Sequence, residues 1–293
     1  MNERPTPLLT WLCERSLPHF GQLATWVLFG AALWLARYPY EMAVGPRQGP
    51  ASLLSWLPGE VLSSPASFWV ARCALVLGAA LWFWRNLLPW SCWLTVIAFT
   101  ILWSLHVENS WHTNHCFQMT NNLLFIQALG ETLCAREIQS ATAAGKYWQT
   151  PLYPRWVTLA AVAYIGIFHT AAGLSKLSFS GPEWANGTSL QIWTHLWGRP
   201  WSPTTWLILK SRTFTQVLQA STLVVETCGV LAVFPQLRTW IGLATVGFYV
   251  GVLLTFDYGF HFNLLFTALY LLPVERWVEN YVRKRNASEV TNA

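Results

Sequence analysis

Charge is what this 293-residue sequence has least of. Asp, Glu, Lys and Arg make up 11% of it, where soluble domains have about a quarter. Combined with 54% hydrophobic residues and a mean hydropathy of +0.34, that shortage excludes a water-exposed globular surface. Cysteine is sparse and scattered. The six residues at 13, 73, 92, 116, 134 and 228 form no CxxC pair and no zinc-ligand spacing, which leaves metal and thioredoxin-like chemistry without support. Cys116, beside His115, is the only one with a claim to an oxidising face. There is no Gly-rich phosphate loop, no GxSxG, no HExxH and no His pair spaced for haem or zinc, so ATP-driven and hydrolytic metal chemistry find no footing. Internal repeats, low-complexity tracts and a cleavable leader are likewise not evident.

What remains is apolar and rich in tryptophan. Twenty Trp residues suit a membrane protein, because indole prefers the headgroup layer, and Trp69, Trp90, Trp111, Trp156, Trp184, Trp201 and Trp240 lie near the ends of apolar runs. A bilayer core takes about 20 helical residues. The sequence predicts an all-α polytopic membrane helix bundle in one domain over residues 1–293. Its spans fall at 20–36, 66–84, 87–106, 115–135, 155–175, 213–234, 238–256 and 259–274. Eight spans is the first reading and seven the alternative, since only Asp257-Tyr258-Gly259 separates the last two. Between spans five and six, Leu190, Ile192, Trp193, Leu196 and Trp197 alternate with polar residues, as in a helix lying in the interface.

The excess of Lys and Arg falls on the connections that are cytoplasmic if the N-terminus is inside. The expected arrangement therefore has residues 1–19 and the tail 276–293 in the cytoplasm, with polar chemistry gathered on the outer face. The net charge of +5 then reports orientation; it gives no support to nucleic-acid binding.

Lys176 is the leading candidate. It ends an apolar span after the small run Ala171-Ala172-Gly173, which allows another helix to approach closely. An ammonium at that depth is costly unless it snorkels, pairs or loses its proton. Lys176 is therefore either a cation capping the helix end or a desolvated base. His169, seven residues earlier, shares its helical face. Glu226 sits inside the next span, where a carboxylate is rare unless paired or functional; its natural partner is Lys176 or His169. Around Ser110 to His115, and then Gln118 and Asn122, polar residues crowd a span entrance. Positions 115, 118 and 122 share a face there, fit either to line a cavity or to start an amide-rich helix. His261, near the Asp257 turn, is a further pocket candidate.

Two stretches carry a resemblance. Ala172-Gly173-Leu174-Ser175-Lys176-Leu177 with Trp184, Gly187 and Ser202-Pro203, and Ser110-Trp111 with Asn114-His115, resemble the transmembrane domain of vitamin K-dependent gamma-glutamyl carboxylases. They also resemble the shorter bacterial relatives of those enzymes, the HTTM group, which lack the C-terminal luminal region. In the second stretch the spacing is one residue longer than in the carboxylases, and His115 is preferred there over His112. The resemblance implies that Lys176 is the catalytic base and His115 the stabiliser of a charged intermediate. His169, Glu226, Gln118, Asn122, Trp184, Gly187 and His261 would then surround the cofactor. That cofactor would be reduced vitamin K or menaquinone, with O2 and CO2 as co-substrates.

In the implied reaction the lysine deprotonates the quinol, and oxygen converts it to a strong base that takes a γ-proton from a peptide glutamate. CO2 traps the carbanion, and the quinone leaves as its epoxide. The expected partners are the lipid bilayer, the quinol, a small secreted peptide and an extracytoplasmic or membrane protein. The expected setting is a bacterial inner membrane with the site facing outward. The rival reading is a non-catalytic module that assists maturation or export of such a peptide.

Overall fold

In the computed structural model, residues 12–13, 18–37, 53–85, 87–109, 117–146, 153–256 and 260–291 are described, with side chains as far as residue 284. They form helices α1 (Pro18–Arg37), α2 (Gly59–Leu62), α3 (Pro65–Phe83), α4 (Trp90–Asn109), α5 (Gln118–Leu133), α6 (Ala135–Ala143) and α7 (Arg155–Ser180). These are followed by α8 (Thr188–Trp197), α9 (Pro203–Lys210), α10 (Arg212–Thr227), α11 (Pro235–Thr255), α12 (His261–Leu271) and α13 (Val274–Thr291). Short 3-10 turns occupy Gly181–Ala185 and Gly229–Val233. There is no β-strand among the described residues. The chain is an all-α membrane helix bundle.

Each of the eight expected spans overlaps a helix, but they differ in reach. Among the described residues, five helices (α1, α3, α4, α7 and α11) are long and apolar enough to cross a bilayer. The 16 residues each of α5 and α10 and the 11 of α12 rise only about 24 Å and 17 Å, less than the ~30 Å hydrocarbon core. The run expected over 213–234 breaks at Thr227 and continues as the 3-10 turn Gly229–Val233. In contrast, α7 runs past its expected end at 175 to Ser180. The expected interfacial segment is helical as α8, where Ile192, Trp193, Leu196 and Trp197 are exposed.

Two compact units make up the chain, one of residues 1–158 with 275–293 and the other of residues 159–274. In the first, Trp82 of α3 is fully buried and meets Phe29 of α1 edge to face at 4.9 Å. The polar interior of this unit centres on Glu131 of α5. Its carboxylate accepts bonds from Arg85 Nη1 at 2.9 and 3.0 Å and from the Tyr153 hydroxyl at 2.7 Å. Arg85 adopts a left-handed φ of 57° just beyond α3, an unfavourable backbone for a non-glycine residue that its ion pair offsets. Near the start of α1, Glu279 of α13 accepts bonds from the backbone N–H groups of His19 and Phe20, at 2.9 and 3.1 Å. It thereby satisfies two donors that the first turn of α1 leaves open.

In the second unit, α7 is drawn against the end of α10 by two glycines. A Cβ on Gly173 would fall 2.7 Å from Thr227 N, and one on Gly229 would fall 2.7 Å from Gly166 O. Only hydrogen fits at either point. Thr170 of α7 fills the backbone break after α10: its hydroxyl donates to Thr227 O at 3.2 Å and accepts from Val230 N at 2.8 Å. The polar groups that the early end of α10 leaves unsatisfied thus find partners on the neighbouring helix.

Candidate functional site

That close approach determines where Lys176 lies. The residue is about 32 Å along α7 from Arg155 at 1.5 Å per residue, roughly one hydrocarbon thickness. Gly173, one turn earlier, lets α10 come near enough for the Lys176 ammonium to pair with the Glu226 carboxylate. Of the three ways to accommodate an intramembrane ammonium, the structure takes pairing. The carboxylate is nearly enclosed, with 6% of its side chain exposed, against 27% for the lysine. The ammonium also lies 4.9 Å from the centroid of the Trp184 ring, a cation–π contact typically worth about 0.5–2 kcal/mol.

Trp184 is held by the turn that follows α7. Gly187 has a φ of 89°, accessible at little strain only to glycine, and stands at the N-terminus of α8. A Cβ there would press on Gln216 Cγ at 3.1 Å. Asn186 secures the same turn, its side chain accepting from Thr188 N at 2.8 Å and its carbonyl from Gln216 Nε2 at 3.2 Å. Gly187 therefore shapes the loop that carries Trp184. It does not line the cavity described next.

Lys176 and Trp184 open onto a cavity of about 280 Å³ whose other walls are Ser189, Leu190, Trp193, Gln219, Thr222, Phe248, Val252, Phe256 and Phe260. Its chemistry is lopsided: five aromatic rings and two aliphatic side chains surround one charged group and three neutral polar ones. A second apolar cavity of about 270 Å³ shares Leu190, Thr222, Phe248, Val252 and Phe256 with it. Such a site suits a flat, largely apolar molecule bearing a polar group that reaches the ion pair.

The other expected residues fall in different places. His169 is buried, 3.5 Å from the Tyr249 hydroxyl, and Asn263 Nδ2 donates to the same hydroxyl at 3.4 Å. His169 supports the wall of α11 that carries Phe248; it does not face the cavity. His261 is exposed at the start of α12 and lines neither cavity. Gln118 and Asn122 belong to the first unit, where Asn122 Nδ2 donates to Gln118 O at 3.1 Å along α5. His112, His115 and Cys116, like Asp257, lie outside the described residues.

Two participants escape a reading of the sequence. Gln219 and Ser189, joined by a 2.7 Å hydrogen bond from Nε2 to Oγ, line the cavity, yet neither type is unusual in a membrane helix. The Arg85–Glu131–Tyr153 cluster did carry a signal, because Glu131 lies in an apolar run as Glu226 does.

The chain matches no family model, no curated protein and no solved structure.

Proposed function

We propose that the second unit is the catalytic centre of a membrane enzyme of the vitamin K-dependent carboxylase-like kind, acting on a reduced naphthoquinone. The observation that carries the reading is the Lys176–Glu226 pair at the edge of an aromatic cavity, its lysine on a helix long enough to span a membrane. The residues present fit the ligand: Trp184, Trp193, Phe248, Phe256 and Phe260 line the cavity with aromatic surface suited to a bicyclic system, while the lysine offers a polar group where a phenolic hydroxyl must lose its proton.

With oxygen, the reduced naphthoquinone would supply the strong base that the resemblance assigns to it, for use on a peptide glutamate with CO2. The chain's own part is proton handling. Transfer of a proton from Lys176 Nζ to Glu226 Oε2, across the hydrogen bond that joins them, frees the lysine lone pair to accept a hydroxyl proton. The ammonium so regained lies against the Trp184 ring and faces the negative charge it has created. Gly173 and Thr170 are positioning residues, since they hold α7 and α10 at the separation the pair requires. In this reading both termini are cytoplasmic, the site faces the outer side of a bacterial inner membrane, and the product is a modified secreted peptide.

The test is direct. Purified protein given chemically reduced menaquinone or phylloquinone with oxygen should form the quinone epoxide, detected by mass spectrometry, and the Lys176→Ala variant should form none. A folded wild-type protein that produces no epoxide would sink the reading.

One observation favours a second reading. Trp193, Trp197, Trp201 and Trp206 are 42–70% exposed on α8, α9 and the loop between them, a density of aromatic surface that suits a protein partner. A non-catalytic module that helps mature or export a secreted peptide would co-purify stoichiometrically with that partner and carry no quinone.

A further inference from the structure

The cavity beside Lys176 contains a second polar feature that the proton-handling scheme leaves unused. Gln219 is 2% exposed and lines this cavity from α10. Its Nε2 donates to Ser189 Oγ at 2.7 Å, and Ser189 lines the cavity from α8. The Oε1 of the same amide is buried and has no hydrogen-bond partner among the described residues. A buried amide oxygen left unpaired is costly, and native interiors rarely tolerate one unless something else satisfies it. The Ser189 contact uses the donor end of the amide, so the end that remains can only accept.

We infer that Gln219 is a specificity-determining residue which accepts a hydrogen bond from the ligand, so that the cavity selects the reduced hydroxyl-bearing form of a quinone over its oxidised form. The inference rests on the quinol reading above and deepens it. A quinol carries an O–H donor at each end of its ring, whereas a quinone carries carbonyl acceptors only. Bound as the quinol, one hydroxyl meets the Lys176–Glu226 pair and the other meets Gln219 Oε1. Bound as the quinone, the second carbonyl faces another acceptor, and both oxygens stay unpaired in an apolar enclosure. The consequence is chemical as well as selective, because an oxidised product that loses this bond leaves the cavity more readily than the reduced substrate.

The experiment is anaerobic isothermal titration of the full-length protein in detergent with menadiol and with menadione. The wild type should bind menadiol about tenfold more tightly than menadione, the ratio expected of one buried hydrogen bond. Gln219→Leu should bring the two affinities together by weakening menadiol alone. Gln219→Glu keeps an acceptor and should keep the preference. Ser189→Ala releases the amide to turn and should narrow the preference a few-fold. Equal binding of the two forms by the wild type overturns the inference with no variant needed. A folded Gln219→Leu protein that still prefers menadiol overturns it too. In either of those outcomes the quinol reading survives, because binding is seen. If the wild type binds neither form, both the reading and the inference fall.

Discussion

The two units each bury an acid against a base, and the pairs differ in what else surrounds them. In the first, Glu131 and Arg85 are 0% and 5% exposed, and Tyr153 donates a further bond to the carboxylate. Nothing is left to react, and the cluster fixes the end of α3 against α5. In the second, Lys176 is 27% exposed and forms part of a cavity wall, while Glu226 is enclosed behind it. One pair is closed on all sides and the other is open on one. A buried salt bridge is weak evidence for either stability or function, but its access to a cavity separates the two roles.

Mutations can break this comparison. The largest expected effect on folding is at the closed pair: Glu131→Gln should destabilise the protein by about 3–5 kcal/mol, because it removes the counter-charge of a buried guanidinium. Thermal unfolding in detergent would read this, and Glu226→Gln should show a clearly smaller shift, since the lysine can turn toward solvent. Equal shifts would erase the distinction. The open pair should dominate activity instead. Lys176→Ala should lower epoxide formation by at least a hundredfold with little change in the melting temperature, and a variant that remains active would contradict the assignment. Gly173→Val forces a methyl group into Thr227. It should cost about 1–3 kcal/mol and lower turnover disproportionately by separating α7 from α10, so unchanged turnover would refute the positioning role. The smallest effect is at Trp184→Leu, which removes a contact of about 0.5–2 kcal/mol. It should weaken menadiol binding several-fold while leaving unfolding almost unaltered; a folding defect without a binding defect would make the ring structural.

How much of this was legible in the sequence depends on cost. Lys176 and Glu226 stand out because a charge in an apolar run requires a partner, and Ala171-Ala172-Gly173 announces the close helix approach. The helical class follows from composition and run length. Gln219 carries no such announcement: an amide on α10 is ordinary, and its importance comes from the cavity and from the orientation that Ser189 imposes. The early end of α10 is equally silent, since residues 213–234 remain apolar through the break and the cause, Thr170, lies on another helix. His169 shows the opposite failure. Its helical spacing from Lys176 suggests a shared pocket, yet burial turns it toward Tyr249 and Asn263.

The cap that Glu279 places on α1 has a bearing on synthesis. The N–H groups of His19 and Phe20 are among the first made, and their acceptor emerges about 260 residues later. The intervening chain contains the whole of the 159–274 unit. A nascent chain can therefore complete the 159–274 unit while the other unit still waits for its last helix. Halting translation before residue 279 would leave a protein with its Lys176–Glu226 pair in place and the first turn of α1 unsealed.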